Sequence, residues 1–346
     1  MGSLNQRRLS LGVSFIAIMI VFGAGNLFAA PPYPSKPITM IVCYAPGGTA
    51  DLNARKLAVY LKKYLGKPIT VVNKPGAGAA IGTKFVYDAP ADGYTILYSA
   101  ENPGTFQVMG LSPLSYRDFI PIDIVLDDPK LVVVNADSPY RNIADLVADI
   151  KARPGKVRMS YSTPGASGHI QGLLYAKVGL DVAMTSFGGG NSALLAVMGK
   201  QVEFTNANLS SIVEYLRSGK LRALGVFSTE RNSLFPDVPA ITDAVPDLAA
   251  YLPLPFPQSV LVKRGTPDEI VAALRIGFKR AVGDSEWVEY IEKDKNLDPL
   301  YLKYKSAQEI EAFFDRWTSI VSWLLYDNGV APNNPSQFGI PKPAGK

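Results

Sequence analysis

The sequence predicts an α/β protein of two lobes, each built on a mainly parallel sheet flanked by helices, with a hinged cleft between the lobes. Three observations lead to this fold class. From residue 38 to residue 98, short apolar runs alternate with amphipathic stretches, which is the pattern of a parallel sheet with helical crossovers. A second alternation of this kind starts near residue 130. Over 252–257, prolines alternate with apolar residues and indicate a return crossing to the first lobe.

The first lobe is predicted to open with a β-α-β-α-β run. Its elements are strands over 38–43, 69–72 and 94–98 and helices over 51–65 and 81–87. The first helix is supported by Leu57, Leu61 and Leu65, which recur at helical spacing. Such a run places its connecting loops at the carboxyl edge of a parallel sheet, which is where ligands bind in α/β proteins.

The second lobe repeats the plan of the first. Its predicted strands cover 131–134, 157–161, 184–187, 202–205 and 221–227, and its predicted helices cover 143–153, 170–178 and 192–198. After the return crossing, a strand over 259–262 and helices over 267–282 and 307–326 complete the first lobe. We therefore assign residues 31–130 together with 256–346 to the first lobe, and residues 131–255 to the second.

Two glycine turns follow the first two strands. Gly47 and Gly48 precede the first helix, and Gly76 and Gly78 precede the second. Glycine allows close approach of a ligand to the backbone, and the helix that follows presents unpaired N–H groups with a partial positive charge. Adjacent turns of this kind predict a site for a small anion or carboxylate. Since Lys74 is the only cation nearby, backbone N–H groups are expected to hold the bound group.

The first residues predict a cleaved secretory signal over 1–29. Arg7 and Arg8 precede an apolar stretch over 11–22, which gives way to small residues. General secretion fits better than the twin-arginine route, and an uncleaved N-terminal anchor is the alternative. The mature protein is therefore predicted to be exported and free of the membrane. Cys43 is the single cysteine, so it has no partner within the chain, and its apolar strand predicts that it is buried.

Charge and composition exclude several kinds of partner. The chain has 35 Lys and Arg against 30 Asp and Glu, and these basic residues are spread out rather than interleaved with aromatics. Nucleic acid is therefore not an expected partner. A single cysteine excludes zinc and iron–sulfur sites built on cysteine, and no cofactor is predicted.

Catalysis is also disfavoured. Ser167 and His169 stand two residues apart at the start of a helix, without the Gly-x-Ser-x-Gly elbow of a serine nucleophile. The second glycine turn misses the spacing of a dinucleotide-binding fingerprint by one residue and follows the wrong strand. His169 is the only histidine and has no nearby carboxylates at metal-ligand spacing. A structural or cleft hydrogen bond is its expected role.

Several short motifs follow one another along the chain. They are Tyr33 to Ile38, Ala45 to Asp51 with Arg55, Asn73 to Gly78, Ala91 to Thr95, Asp118 to Ile122, Pro154 to Lys156, and Pro236 to Pro239. In this order and spacing, the chain resembles the extracytoplasmic solute receptors of tripartite tricarboxylate transporters, also called Bug receptors. The resemblance covers about residues 33–329.

The resemblance implies a type II periplasmic binding-protein fold whose cleft takes a carboxylated small molecule for a membrane permease. It also implies that Tyr44 packs on the ligand. The predicted ligand-binding residues are Tyr44, Gly47, Gly48, Thr49, Ala50, Gly76, Ala77, Gly78, Ser99, Glu101, Asn102, Thr163, Gly165, Ser167, Gly168, His169, Phe187, Gly188, Asn206 and Ala207. We expect a monomer without a metal site. A ligand-sensing component of a signalling system would have the same fold and is the alternative.

Departures from the family pattern bear on the ligand. Residues 186–189 replace the usual Pro-Tyr-Lys-Gly, and Ala207 stands where an aspartate is common. These changes predict a monocarboxylate or dicarboxylate with an apolar or aromatic body rather than a tricarboxylate. Glu101 replaces a small neutral residue, and it faces either solvent or the cleft. Asp51 is expected to be the N-cap of the first helix and to pair with Arg55 four residues on.

Overall fold

Two five-stranded sheets, each flanked by helices, form the protein. The computed structural model describes residues 32–343, so the signal predicted over 1–29 lies outside the described residues. The strands are β1 (Ile38–Val42), β2 (Ile69–Asn73), β3 (Thr95–Ser99), β4 (Phe119–Asp127), β5 (Lys130–Asn135), β6 (Arg158–Tyr161), β7 (Ala183–Ser186), β8 (Phe204–Asn208), β9 (Leu221–Val226) and β10 (Pro257–Lys263).

Helices cover both faces of these sheets. They are α1 (Thr49–Leu65), α2 (Ala80–Asp88), α3 (Ile143–Ala152), α4 (Ser167–Lys177), α5 (Gly190–Met198), α6 (Leu209–Arg217), α7 (Ile241–Ala244), α8 (Asp268–Val282), α9 (Ser285–Glu289), α10 (Leu300–Lys303) and α11 (Ala307–Asp327). Among the residues that the structure describes, no helix is both long and apolar enough to cross a membrane.

The two sheets share one plan. The first has the strand order β2-β1-β3-β10-β4, and the second has the order β7-β6-β8-β5-β9. In the first sheet, β10 is antiparallel to both of its neighbours, while β1 is parallel to β2 and β3. In the second sheet, β5 is the antiparallel strand and β6 is parallel to β7 and β8. The predicted two-lobed fold with mainly parallel sheets is confirmed.

In each sheet, the antiparallel strand is the first strand that the chain forms after it crosses from the other lobe. Only two residues separate β4 from β5, and Lys130 at the start of β5 pairs with Asn208 at the carboxyl end of β8. Likewise, Pro257 at the start of β10 pairs with Asp127 at the end of β4. A chain that arrives at the carboxyl edge of a sheet runs back against the other strands. The crossings therefore lie at the edge where the sheets face each other.

Some elements differ from the sequence prediction. The sequence analysis assigned neither β4 nor α6. Helices α1, α4 and α5 each begin two or three residues earlier than predicted, because the glycine and serine turns continue directly into the first helical turn. The strands of the first sheet lie within 38–127 and 257–263 and those of the second within 130–226. The lobe boundaries themselves stay a prediction.

One face of the first sheet forms a core with helices α1, α8 and α9. Trp287 on α9 is fully buried and packs edge-on against Tyr60 of α1, with the ring centroids 6.1 Å apart. Leu57 and Phe278 belong to the same cluster. This packing fixes α1, and therefore the position of its N-terminus at the edge of the sheet.

We predict that Trp287→Ala lowers the free energy of unfolding by about 3–5 kcal/mol, because it leaves a large cavity in this core. The control is Tyr251→Ala, since Tyr251 is 40% exposed and a surface substitution changes stability by roughly 0.5 kcal/mol. Urea unfolding followed by circular dichroism measures both. Equal losses in the two variants would contradict the packing role given to Trp287.

Candidate ligand-binding cleft

A cavity of about 610 Å³ lies between the carboxyl edges of the two sheets. The loops after β1, β2 and β3 line one side, and the loops after β6, β7 and β8 line the other. This volume lies within the range of sites that take small molecules. The cavity wall is mainly hydrophobic and includes Tyr44, Leu111, Phe187 and Phe256; a few polar groups complete it.

The turn after β1 holds the N-terminus of α1 at the cavity. Gly47 has a left-handed φ of +76°, and its N–H donates to Asp51 Oδ2 at 2.9 Å. Gly48 is the N-cap with a φ of −77°, so the expectation that Asp51 is the N-cap is wrong. Asp51 lies inside the first turn of α1, and its carboxylate reaches back to the N–H of Gly47, before the helix. Its predicted pairing with Arg55 is present at 2.9 Å.

The side chain of Asp51 is almost fully buried and remains charged. Burial raises its pKa, but hydrogen bonds from Arg55, Gly47 and Asn73 outweigh this and hold the pKa below its ordinary value. Asn73 Nδ2 donates to Asp51 Oδ1 at 2.8 Å and to the Tyr44 carbonyl at 3.0 Å. The network ties the loops after β1 and β2 together.

The turn after β2 has an unusual backbone. Gly76, Ala77, Gly78 and Ala79 have φ values of +127°, +45°, +58° and +81° in succession. Alanine rarely adopts a left-handed conformation, and residues held in this way cluster at functional sites. All of these residues line the cavity. Lys74, the cation expected nearby, does not line it, because its Nζ lies 4.1 Å from the centroid of the Phe85 ring.

Tyr44 is fixed by the loop after β3. Its hydroxyl accepts a hydrogen bond from the Ala100 N–H at 3.1 Å and donates to Asn102 Oδ1 at 2.7 Å. The directions follow because a backbone N–H can only donate and an amide oxygen can only accept. Burial raises the pKa of Tyr44 well above its ordinary value, with a contribution from Glu101. The phenol therefore presents a neutral aromatic face to the cavity.

Glu101 faces the cleft and crosses it. The side chain is 5% exposed, lines the cavity, and accepts a hydrogen bond from the Ser167 N–H at 2.6 Å. Ser167 is the first residue of α4, so a carboxylate of the first lobe meets a helix N-terminus of the second. The sequence left Glu101 facing either solvent or the cleft, and in the structure it lies in the cleft.

Other contacts join the lobes around the cavity. Asn191 Nδ2 at the start of α5 donates to the Gly47 carbonyl at 3.3 Å. Ser210 at the start of α6 donates its hydroxyl proton to Asp128 Oδ2 at 2.5 Å and its backbone N–H to Asp128 Oδ1 at 3.1 Å, and its Oγ lies 3.3 Å from Thr49 Oγ1. Asp128 lies at the crossing between β4 and β5. The N-termini of α1 and α5 are therefore close neighbours on opposite lobes.

His169 supports the second-lobe wall from behind. Its ring stacks on Tyr161 with centroids 4.7 Å apart, and its Nδ1 accepts from the Gly165 N–H at 3.1 Å. Burial lowers the pKa of His169 to about 4. The imidazole is therefore neutral at pH 7, as its acceptor role requires.

Most of the predicted site residues line the cavity. Those that do are Tyr44, Gly48, Thr49, Ala50, Gly76, Ala77, Gly78, Glu101, Asn102, Thr163, Ser167, Gly168, Phe187, Gly188, Asn206 and Ala207. Gly47, Ser99, Gly165 and His169 do not line it. Gly47 and Gly165 shape the turns, His169 buttresses one of them, and Ser99 is buried in β3. Contact of any of these residues with a ligand stays a prediction.

Lys130 is the main residue that the sequence reasoning missed. It is 5% exposed and lines the cavity, and its Nζ donates to the Asp128 carbonyl at 2.8 Å. Among the described residues that line the cavity, Lys130 and Glu101 are the only charged side chains. Burial raises the pKa of Asp127 to about 6, and the Lys130 charge opposes this shift. A lysine at the first position of a strand that follows two aspartates and a proline was the available signal.

The family follows from comparison with known proteins. A model described as "Tripartite tricarboxylate transporter family receptor" matches residues 53–324. The chain is 33% identical over 316 residues to Protein BugT of Bordetella pertussis, which covers 88% of this chain and 96% of that protein. The chain belongs to the tripartite tricarboxylate transporter receptor family. The predicted family is confirmed.

Solved structures agree with this assignment. A structure of the periplasmic binding protein BugD matches this receptor with a TM-score of 0.78 and 26% identity, over 86% of this chain and 99% of that chain. A TctC solute-binding protein from Polaromonas matches with a TM-score of 0.64 and 28% identity, over 85% and 99%. The family and these neighbours are substrate-binding receptors rather than enzymes, so the prediction against an enzyme is confirmed.

We predict that the receptor's single histidine titrates near pH 4. The neutral form is favoured on folding, so the contribution of His169 to stability is complete above its ordinary pKa of 6.5 and is lost as the pH falls toward 4. Proton NMR of the one histidine ring measures the pKa without ambiguity. The same resonance in urea serves as the control and should titrate near 6.5. A midpoint near 6.5 in the folded protein would contradict the buried position.

Proposed function

We propose that this receptor binds a small carboxylate in the cavity and delivers it to the membrane permease of a tripartite transporter. The observation that carries this proposal is the pair of helix N-termini at the cavity wall. Within residues 32–343, the N–H groups of Thr49 and Ala50 in α1, and of Gly190 and Asn191 in α5, have no hydrogen-bond acceptor. Such groups with their partial positive charge favour an anion.

The geometry of these two helices supports binding from both lobes at once. Asn191 contacts the Gly47 carbonyl, so one carboxylate placed between α1 and α5 meets donors on each side. Hydrogen bonds to a charged group contribute about 1.5–3 kcal/mol each. A ligand in this position therefore gains its full set of bonds only when the lobes close, and this favours a hinged, ligand-driven mechanism.

The charges of the cavity limit the ligand. Lys130 supplies one positive charge, which the two buried carboxyl groups of Asp127 and Asp128 counter, and Glu101 supplies a negative one. The remaining wall is aromatic or small, with Phe187 and Ala207 at positions where the family pattern has polar groups. These features support a monocarboxylate or dicarboxylate with an apolar or aromatic body, and they disfavour three ligand charges.

The setting of this function is the periplasm. The basic and apolar pattern of residues 1–29 supports export and cleavage, and the family is one of receptors for a membrane transporter. We propose that the receptor acts there as a monomer, with lobe boundaries near residues 130 and 256 that act as the hinge.

A thermal-shift screen tests the ligand class. Monocarboxylates and dicarboxylates with aliphatic or aromatic bodies should raise the melting temperature, and citrate should raise it least because of its third charge. Isothermal titration of the best ligand gives the affinity, and ATP serves as the anionic control. If ATP stabilises the receptor and no carboxylate does, the proposed function is wrong.

Gly190 offers a direct test of the backbone site. Gly190→Pro removes one N–H of α5, and the first position of a helix accepts proline well. Gly189 before it is extended, with φ −173° and ψ 157°, which suits a residue that precedes proline. We predict that Gly190→Pro weakens carboxylate binding by about 10- to 100-fold, the equivalent of one charge-assisted bond.

The matched control is Gly190→Ala. A Cβ at this position meets nothing within 4 Å, and alanine keeps the N–H, so binding should stay within about threefold of the wild type. Calorimetric titration of both variants with the same carboxylate gives the comparison. Equal affinity of the proline and alanine variants would show that the start of α5 does not hold the ligand.

A further inference from the structure

Glu101 is placed where a bound anion would otherwise lie. It follows β3 in the first lobe, and its Oε1 lies 2.6 Å from the backbone N of Ser167 at the start of α4 in the second. That helix has 11 residues, so its N-terminus carries an appreciable partial positive charge. The carboxylate side chain is 5% exposed and belongs to the cavity wall.

The helix start is the main partner of this charge. No lysine, arginine or histidine of residues 32–343 forms an ion pair with Glu101, and its Oε2 accepts no hydrogen bond there. After burial, which is the larger cause, the Glu101 charge also raises the pKa of Tyr44 and Tyr116. The carboxylate therefore remains poorly neutralised, with one oxygen left to accept a hydrogen bond.

This arrangement sets what the ligand must offer at that end of the cavity. A group that meets Oε2 has to donate a hydrogen bond, because a carboxylate oxygen only accepts. A ligand carboxylate in the same place would bring two like charges together away from bulk water, which strongly disfavours binding. The start of α4 already holds a carboxylate that belongs to the protein.

We propose that Glu101 determines the ligand specificity of this receptor. It takes the place of a second ligand carboxylate and selects monocarboxylates whose far end carries a hydrogen-bond donor, such as a hydroxyl or ammonium group. This inference rests on the proposed function, since the single ligand carboxylate is then held by α1 and α5. A ligand with a carboxylate at both ends binds more weakly, because its second carboxylate meets the Glu101 charge.

Matched ligand pairs test the proposal. The first pair is 6-hydroxyhexanoate and adipate, and the second is 4-hydroxybenzoate and terephthalate, which differ only in a donor or a carboxylate at the far end. Isothermal titration of the full chain gives the ratio of affinities within each pair. The wild type should prefer the hydroxy acid by at least about tenfold in the pair whose length fits, the scale of one close like-charge contact.

Variants assign the preference to the charge. Glu101→Gln keeps the size of the side chain and removes the charge, so the two members of the pair should bind within about threefold of each other. Ser167→Pro removes the N–H donor that holds Glu101 in place, and proline is tolerated at a first helical position, so the preference for the hydroxy acid should weaken. The control is Glu309→Gln, since Glu309 accepts backbone N–H bonds at the start of α11, away from the cavity; its ratio should equal that of the wild type.

The outcomes separate this inference from the proposed function. If carboxylates bind and the wild type takes adipate or terephthalate as tightly as the hydroxy acid, the role of Glu101 is overturned while the receptor function stands. An affinity ratio that is unchanged in Glu101→Gln has the same meaning, and an unchanged ratio in Ser167→Pro overturns the role of Glu101 likewise if Glu101→Gln does not fold. If no carboxylate binds to any variant, the receptor function and this inference both fail.

Discussion

The requirement that N–H groups at the start of a helix find acceptors governs how this receptor is built. Helices α1, α4, α5 and α6 are among those that begin at the space between the sheets. Glu101 supplies an acceptor to α4, and Asp128 supplies one to α6. The first N–H groups of α1 and α5 have no acceptor among the described residues. The protein thus meets one N–H of α4 and one of α6 with its own carboxylates, and the starts of α1 and α5 are those that we propose for a ligand.

The second constraint comes from the crossings. The chain passes between lobes at the same edge where the helices begin, so the groups that link the lobes also border the cavity. Asp127 accepts from the Phe256 N–H at 3.0 Å and joins the two crossings, while Lys130 borders both these crossings and the cavity. In the hinged mechanism that we propose, a charge that enters the cavity therefore acts on the residues at the crossings.

The sequence was sufficient for the fold and for most of the cavity wall. Glycine turns after apolar strands identify the loops at one sheet edge, because strand direction and crossover handedness leave few alternatives. Lys130 escaped this reasoning because it belongs to the strand that runs in the opposite direction, so its first residue, not its last, reaches the cavity. The orientation of Glu101 could not be read either, since it depends on a helix start 66 residues away in the other lobe.

The position of the antiparallel strand β10 between β3 and β4 in the first sheet has a consequence for the order of folding. The strands of the second sheet come from residues 130–226 without interruption, whereas β3 and β4 of the first sheet are held together by β10, which is residues 257–263. Pairings between distant residues form late, because closing a long loop costs entropy before the contacts form. The second lobe can thus mature by itself, while the first has a gap in its sheet until the chain has returned.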